Sequence, residues 1–453
     1  MNWQEEYERR LRSADEALLA VESGDRVVTG HACGEPFDLV DALIARAPEL
    51  RDVEVVHLVP MGKCEYAQAE HAESFRHNAM FVGALTRDAV CEGRADYTPC
   101  HFHETPGLFT EGYLPPDVAL VHLSPPDRHG FCSFGVSVDY TKPAALCART
   151  VIAQVNPNMP RTHGDTFIHV SQLDAIVEST APMVELQPAK VSPVSEAIGR
   201  HIADLVSDSA CLQIGIGAIP EAALTFLHDK NDLGLHTEMF SDGVLDLYEE
   251  GVITNARKSI HTHKLVATFL MGTSRLYDFV DDNPVLNMFP VSYTNDPFVI
   301  SRNDNVVAIN SALQVDLMGQ VVADSMGPRQ YTGLGGQVDF VRGAAASRGG
   351  KSIIALPSTA MGRAVSRIVA KISDGAAITT MRADVDYVVT EHGVAQLKGK
   401  TLRQRAQALL DIADPVFRDE IVEQGKALMG AAFFSCRARE SQVAPSSCPP
   451  IAG

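Results

Sequence analysis

One acidic side chain and two glycine turns are the parts of this chain best suited to chemistry. Glu238, in Gly234-Leu-His-Thr-Glu238-Met-Phe-Ser-Asp242-Gly243, ends an alternating stretch that predicts a strand, and α/β proteins carry their sites at the carboxyl edge of a parallel sheet. A carboxylate there can act as nucleophile or general base; a solvated strand-end residue is the plainer alternative. Upstream, Gln213-Ile-Gly215-Ile216-Gly217-Ala218-Ile219-Pro220 predicts a strand entering a helix through a glycine turn, whose backbone N–H groups suit a phosphate or a developing oxyanion. The third glycine of a dinucleotide fingerprint is missing, so a simple tight turn is an equal reading. Downstream, Thr332-Gly333-Leu334-Gly335-Gly336-Gln337 has three glycines in four residues, which lets a ligand approach the backbone closely; a flexible loop before a helix over 340–346 is the alternative.

The histidines point less clearly. His101-Phe102-His103 beside Cys100 suggests zinc, but two histidines at i, i+2 on a strand supply only two ligands, so no metal is expected. His31, in Gly30-His-Ala-Cys-Gly34, and His103, in Phe102-His-Glu-Thr-Pro106, sit in loops that can line a substrate channel, with structural roles as the alternative. The nine cysteines are dispersed and never spaced as CxxC, which reads as reduced thiols in a cytoplasm.

These groups need a scaffold. Apolar runs at 26–30, 53–59, 79–84, 118–124, 151–156 and 175–178 predict strands, with helical patterns such as 36–47 and 87–92 between them. Strands apolar on both faces and separated by helices imply an α/β fold with largely parallel sheets covered on both sides. A proline-rich connection follows Ala181. A second α/β series then runs through helices at 194–206, 220–227 and 244–250, strands at 211–215, 234–238, 265–270, 306–310, 353–356 and 387–390, and helices at 402–412 and 415–428. Two domains, 1–185 and 190–430, and a disordered tail over 431–453 are expected. Nothing at the N-terminus reads as a secretory signal, and no apolar run is long enough to predict a membrane span. The formal net charge of −19 argues against nucleic acid or an anionic membrane as partner.

The order of motifs narrows this reading. Gly215/Gly217, Glu238 in HTEMFSDG, Ser292-Tyr-Thr-Asn295-Asp-Pro297, Asn310-Ser-Ala-Leu-Gln-Val-Asp316, Gly333 to Phe340 and Val389-Thr-Glu-His-Gly-Val394 follow one another. The first half adds Met1-Asn-Trp3, Ser23 to Val27, Phe75-Arg-His-Asn78, Gly93 to Tyr97 and Met159 to Asp165. Over residues 1–430 the chain strongly resembles the acetyl-CoA hydrolase/transferase family, in its short-chain acyl-CoA:acetate branch. The resemblance implies two related open α/β domains with the active site between them, and a catalytic glutamate at Glu238. It implies a site asparagine at Asn295, and oxyanion and CoA contacts from Gly215, Ile216, Gly217, Ala218 and Ile219 and from Thr332, Gly333, Leu334, Gly335 and Gly336. Coenzyme A is then a substrate and covalent intermediate, with no permanently bound cofactor and no metal. The partners are an acyl-CoA, 4-hydroxybutyryl or butyryl, and a short-chain acid such as acetate, and a homo-oligomer, dimer or tetramer, is implied. A thioester hydrolase and a non-catalytic CoA-binding regulator are the alternatives. So anionic a ligand in so acidic a protein predicts local positive potential in one cleft, from loop amides assisted by cations such as Arg329, Arg363 or Lys398.

Overall fold

Runs of residues apolar on both faces are satisfied as interior strands, and several of the seven short strands in the first half of the chain are of this kind. In the computed structural model, which describes residues 2–434, these are β1 (Arg26–Thr29), β2 (Val53–His57), β3 (Phe75–Ala79), β4 (Asp96–Tyr97), β5 (Val118–Leu123), β6 (Thr150–Val155) and β7 (Ala175–Glu178). They form one parallel sheet in the order β4-β3-β2-β1-β5-β6-β7. All six residues of β5 are buried, as its unbroken Val-Ala-Leu-Val-His-Leu run requires.

The second half builds another sheet from β8 (Cys211–Gln213), β9 (Gly234–Leu235), β10 (Val306–Ser311), β11 (Lys351–Ala355), β12 (Tyr387–Thr390) and β13 (Gly393–Gln396). Its order is β9-β8-β10-β11-β12-β13, parallel except for the closing β12/β13 pair. From β8 the chain steps outward to β9 and then returns to the other side as β10. That reversal opens a crevice at the carboxyl ends of β8 and β10.

The two sheets share apolar packing: one cluster joins Val28, Val121 and Ala153 of the first to Leu212, Val307 and Ile353 of the second. Backbone hydrogen bonds add a seam, Val138 N–H to Thr268 C=O (3.1 Å) and Leu270 N–H to Val136 C=O (2.8 Å). Residues 179–192 have no regular structure before the helix Pro193–Leu205, and Tyr277 donates its hydroxyl to Val184 C=O at 2.7 Å, holding this connection against the second half.

Three local expectations change. The apolar run 79–84 is not a strand: β3 lies earlier, where Arg76, His77 and Asn78 are accommodated because each finds a partner, Asp96, Val55 C=O and Glu54 respectively. This releases Phe81 from the sheet. Residues 101–103 form no strand either, because Phe102–Glu104 is a 3₁₀ turn leading into the helix Thr105–Thr110. The stretch 234–238 splits, with β9 ending at Leu235 and a second short strand, Met239–Phe240, pairing with Phe269–Leu270. Of the expected tail, Ala431–Phe433 is a 3₁₀ turn and the Phe434 ring covers Gly425; residues 435–453 lie outside the described residues.

Candidate active site

Glu238 occupies the break between the two short strands, so its backbone is held from outside its own sheet. Its C=O accepts hydrogen bonds from Thr268 N–H (3.0 Å) and Phe269 N–H (3.2 Å). Thr237, fully buried, binds both the N–H (3.2 Å) and the C=O (2.9 Å) of Ile214 through its hydroxyl, tying the first glycine turn to the glutamate. On the other side Asn295, at the end of the short helix Val291–Thr294, donates from Nδ2 to Glu238 Oε2 at 2.7 Å. Asn295 is itself fully buried, and its Oδ1 has no partner. Both glycine segments face the carboxylate across one cavity of about 260 Å³.

The second segment comes closest. Gly336 has φ −93° and ψ 9°, which any residue can adopt, yet a Cβ there would fall on the Glu238 carboxylate and the Asn295 amide. Space for the carboxylate, not backbone freedom, demands glycine at this position. Gly333 is constrained from the other side, since a Cβ on it would lie 2.7 Å from Phe81 Cα. Gly335, at φ +53°, is a position where backbone freedom does favour glycine.

Burial raises the Glu238 carboxyl to about 8, and the negative charges of Asp339 and Asp139 push the same way. The hydrogen bonds from Asn295 and from the Gly336 N–H favour the carboxylate and only partly offset this. Glu238 is therefore protonated near neutral pH, and the carboxylate grows in as pH rises through about 8. For any reaction in which Glu238 must be ionised, kcat/KM is expected to climb with pH and level off above that value. Asp339→Asn removes a like charge and should move this limb to lower pH. Asn295→Ala removes a hydrogen bond to the charged form and should move it higher. Profiles of kcat/KM that coincide for all three proteins would refute this electrostatic account.

Of the residues singled out from sequence, Gly215, Ile216 and Thr332 to Gly336 line the cavity with Glu238, and Asn295 touches the glutamate directly. Gly217, at φ +119°, precedes the helix Ala218–Leu224; Gly217, Ala218 and Ile219 are not part of the cavity wall, which this helix reaches through Pro220 instead. His31 lies elsewhere: it is fully buried, its Nδ1 is 3.1 Å from Asp139 Oδ2, and its ring packs 4.6 Å from that of Phe269. His103 opens onto a different cavity, of about 730 Å³, between the helices Thr105–Thr110 and Thr141–Cys147. Its Nδ1 is 2.7 Å from Asp339 Oδ1; burial alone would lower its pKa, but the Asp339 carboxylate outweighs this and holds it above the usual histidine value. Arg329, Arg363 and Lys398 line no part of the Glu238 cavity, and Arg363 is ion-paired with Asp414 at 2.8 Å.

Several wall residues carried no assigned role beforehand. Gln213 ends β8 and Asn310 lies near the end of β10, and their amides meet across the crevice, Asn310 Nδ2 donating to Gln213 Oε1 at 3.1 Å. The rule that places sites at carboxyl strand ends would have found both. Phe81 had no such signal, because its apolar neighbours imitate a strand.

Two open, largely parallel α/β sheets flanking a half-buried glutamate at a strand-order reversal describe an enzyme scaffold. The chain belongs to the acetyl-CoA hydrolase/transferase family: the family's N-terminal domain matches residues 1–187 and its C-terminal domain residues 272–425. It is 57% identical over 426 residues to the 4-hydroxybutyrate coenzyme A transferase of Clostridium kluyveri, covering 94% of this chain and 99% of that one. Among solved structures, RipA from Yersinia pestis superposes with a TM-score of 0.90 at 39% identity, covering 94% and 99% of the two chains. The 4-hydroxybutyrate CoA-transferase of Porphyromonas gingivalis superposes with a TM-score of 0.81 at 42% identity, covering 94% and 100%. No helix among the described residues is long and apolar enough to cross a membrane.

Proposed function

We propose that this enzyme is a CoA-transferase that moves coenzyme A between a short-chain acyl-CoA, 4-hydroxybutyryl or butyryl, and a small acid such as acetate, with Glu238 as the covalent carrier. The observation that carries this reading is the single cavity in which Glu238 faces both glycine segments. Likeness to the two 4-hydroxybutyrate CoA-transferases supports the substrate class. Residues 1–185 and 190–430 act as the domains that bracket the reacting carbon.

The chemistry follows from what a carboxylate can do without external energy. A Glu238 oxygen attacks the thioester carbonyl, the C–S bond breaks, and an acyl-glutamyl anhydride and CoA thiolate result. The thiolate attacks Cδ of Glu238, the anhydride C–O bond breaks, the first acid leaves as its carboxylate, and CoA is now a thioester of the enzyme. The acceptor acid runs the same two steps backwards and departs as the new acyl-CoA. One thioester is lost and one made, so neither ATP nor a metal is needed. Each tetrahedral intermediate carries an oxyanion that N–H groups of Gly215-Ile216 and Gly333 to Gly336 are suited to hold. Asn295 keeps one carboxylate oxygen engaged while the other attacks.

Water competes for both covalent intermediates, and hydrolysis of acyl-CoA is the alternative outcome on the same residues. Supplying acyl-CoA with and without acetate separates the two. The proposal expects new acetyl-CoA to form much faster than free CoA; free CoA released equally fast without acceptor would replace it with a hydrolase.

A further inference from the structure

Two guanidinium groups line the cavity next to Glu238, and among the described residues no acid is ion-paired with either. This second cavity, of about 350 Å³, shares Phe81, Ser311, Ala323 and Thr332 with the first, and its walls include Arg87 and Arg367 but no Asp or Glu. Arg87 begins the helix Arg87–Cys91 in the first half of the chain; its Nε donates to Tyr331 C=O at 2.8 Å and its guanidinium lies 3.8 Å from the Tyr331 ring centroid. Arg367 comes from the second half, just before the strand Ile368–Val369, and donates from Nη1 to Ala312 C=O at 3.2 Å. Among the described residues neither makes an ion pair, whereas Arg76 and Arg94, close to Arg87 in sequence, bind Asp96 and Glu92. Glu391 is the acid whose charge bears on Arg367, and it is already engaged by the Ser358 N–H and hydroxyl. Half-buried guanidinium groups without a counter-ion are costly in a chain of net charge −19 that has acids to spare, unless an anion completes them.

We propose that Arg87 and Arg367 form a two-sided clamp for the diphosphate of the acyl-CoA substrate, an inference that rests on the reading of Glu238 given above. The order of the cavities supports it. Beyond the arginines lies a third cavity of about 550 Å³, which shares Leu313, Tyr331 and Arg367 with the second and is walled largely by apolar groups, among them Met326, Met361 and Val365. Glutamate, paired guanidiniums and apolar recess thus follow one another as thioester, diphosphate and nucleoside base do along coenzyme A. Guanidinium forks match phosphate oxygens two at a time, which a lone ammonium cannot do. The clamp is drawn from both halves of the chain and braced on Tyr331, so it also holds the crevice in register around its ligand. The cations expected from sequence, Arg329, Arg363 and Lys398, do not line this cavity.

The test compares acyl-CoA with the matching acyl-pantetheine, which has the same thioester and no phosphate. In Arg87→Gln, Arg367→Gln and the double variant, the clamp predicts KM for acyl-CoA to rise about tenfold or more per arginine, with smaller changes in kcat and an unchanged KM for acyl-pantetheine. Added salt should weaken acyl-CoA binding to the wild type more than to the double variant. Arg348→Gln, at a surface pair with Asp304, should behave as wild type. An unchanged KM for acyl-CoA, an equal rise for acyl-pantetheine, or a rise confined to acetate would each overturn the clamp, the last by assigning the arginines to the acid. Titration calorimetry with CoA itself keeps the two readings apart. Wild type that binds CoA no more tightly than the double variant defeats the clamp alone, whereas wild type that binds CoA but catalyses no exchange defeats the transferase reading alone. Thermal melts check folding, and Arg→Lys variants that recover part of the affinity support a charge contact over a packing one.

Discussion

Replacing Glu238 with glutamine is expected to lower CoA exchange by about four orders of magnitude or more, because the group that forms both covalent intermediates is gone while its shape and its bond to Asn295 are largely kept. An amide oxygen is a poor nucleophile, and among the described residues no other carboxylate lines the cavity to take its place. The loss should not come from unfolding. The folded-state pKa of Glu238 is raised to about 8, so its contribution to stability is fully present below the unfolded carboxyl pKa and is lost as pH rises through about 8. Glutamine mimics the protonated acid at every pH. Glu238→Gln should therefore melt with wild type only near pH 4, below the unfolded carboxyl pKa, and increasingly above it as pH rises, with the gap fully open near pH 9. A variant that melts far below wild type at pH 9, or that keeps more than about a hundredth of the exchange rate, would contradict the role given to this residue.

Gly336→Ala should be nearly as damaging through sterics alone. The added methyl occupies the volume of the Glu238 carboxylate and the Asn295 amide, and all three cannot remain where they are. Because the backbone at Gly336 is in a region open to alanine, the chain pays little in conformational energy, and the cost falls on the reacting group. Displacing a reactive group by about an ångström costs on the order of a hundredfold, and loss of a nearby oxyanion donor a further factor of similar size, so a fall of about 10³-fold to 10⁴-fold in kcat is expected. KM for acyl-CoA should change far less, since the CoA contacts proposed lie beyond Thr332. Gly362→Ala is a useful contrast: φ there is +65° but the space is open, so it should cost stability and leave kcat alone. Equal kcat in Gly336→Ala and wild type would show that the glutamate works elsewhere than in this cavity.

The parts of this architecture that local pattern determines were visible beforehand. β5 and β6 are largely apolar runs of strand length, interrupted only by His122, Thr150 and Gln154, and the helix expected over 194–206 is Pro193–Leu205, capped by Ser192. Glu238 and both glycine turns stood out because their residue types are unusual where they occur. What escaped was set by tertiary contact. The stretch around Glu238 divides because its middle residues bond to Ile214, Thr268 and Phe269 instead of a neighbouring ladder, and no alternation of side chains encodes that. Phe81 sits in a run that imitates a strand but packs under the second glycine turn. Arg87 and Arg367 are ordinary residues of a helix start and a loop. They become a pair only because a helix of the first half packs beside Tyr331 of the second. His31 and His103 were grouped by their proximity in the first half, yet one is enclosed behind the glutamate and the other faces a separate cavity.

Coenzyme A carried covalently on Glu238 can be weighed by mass spectrometry. The enzyme is mixed with acyl-CoA in the absence of any acceptor acid, digested, and the peptide containing Glu238 is weighed. The account predicts that this peptide gains the mass of coenzyme A less water, that acetate discharges it as acetyl-CoA, and that Glu238→Gln never acquires it. No adduct in wild type, together with exchange that persists in Glu238→Ala, would contradict it.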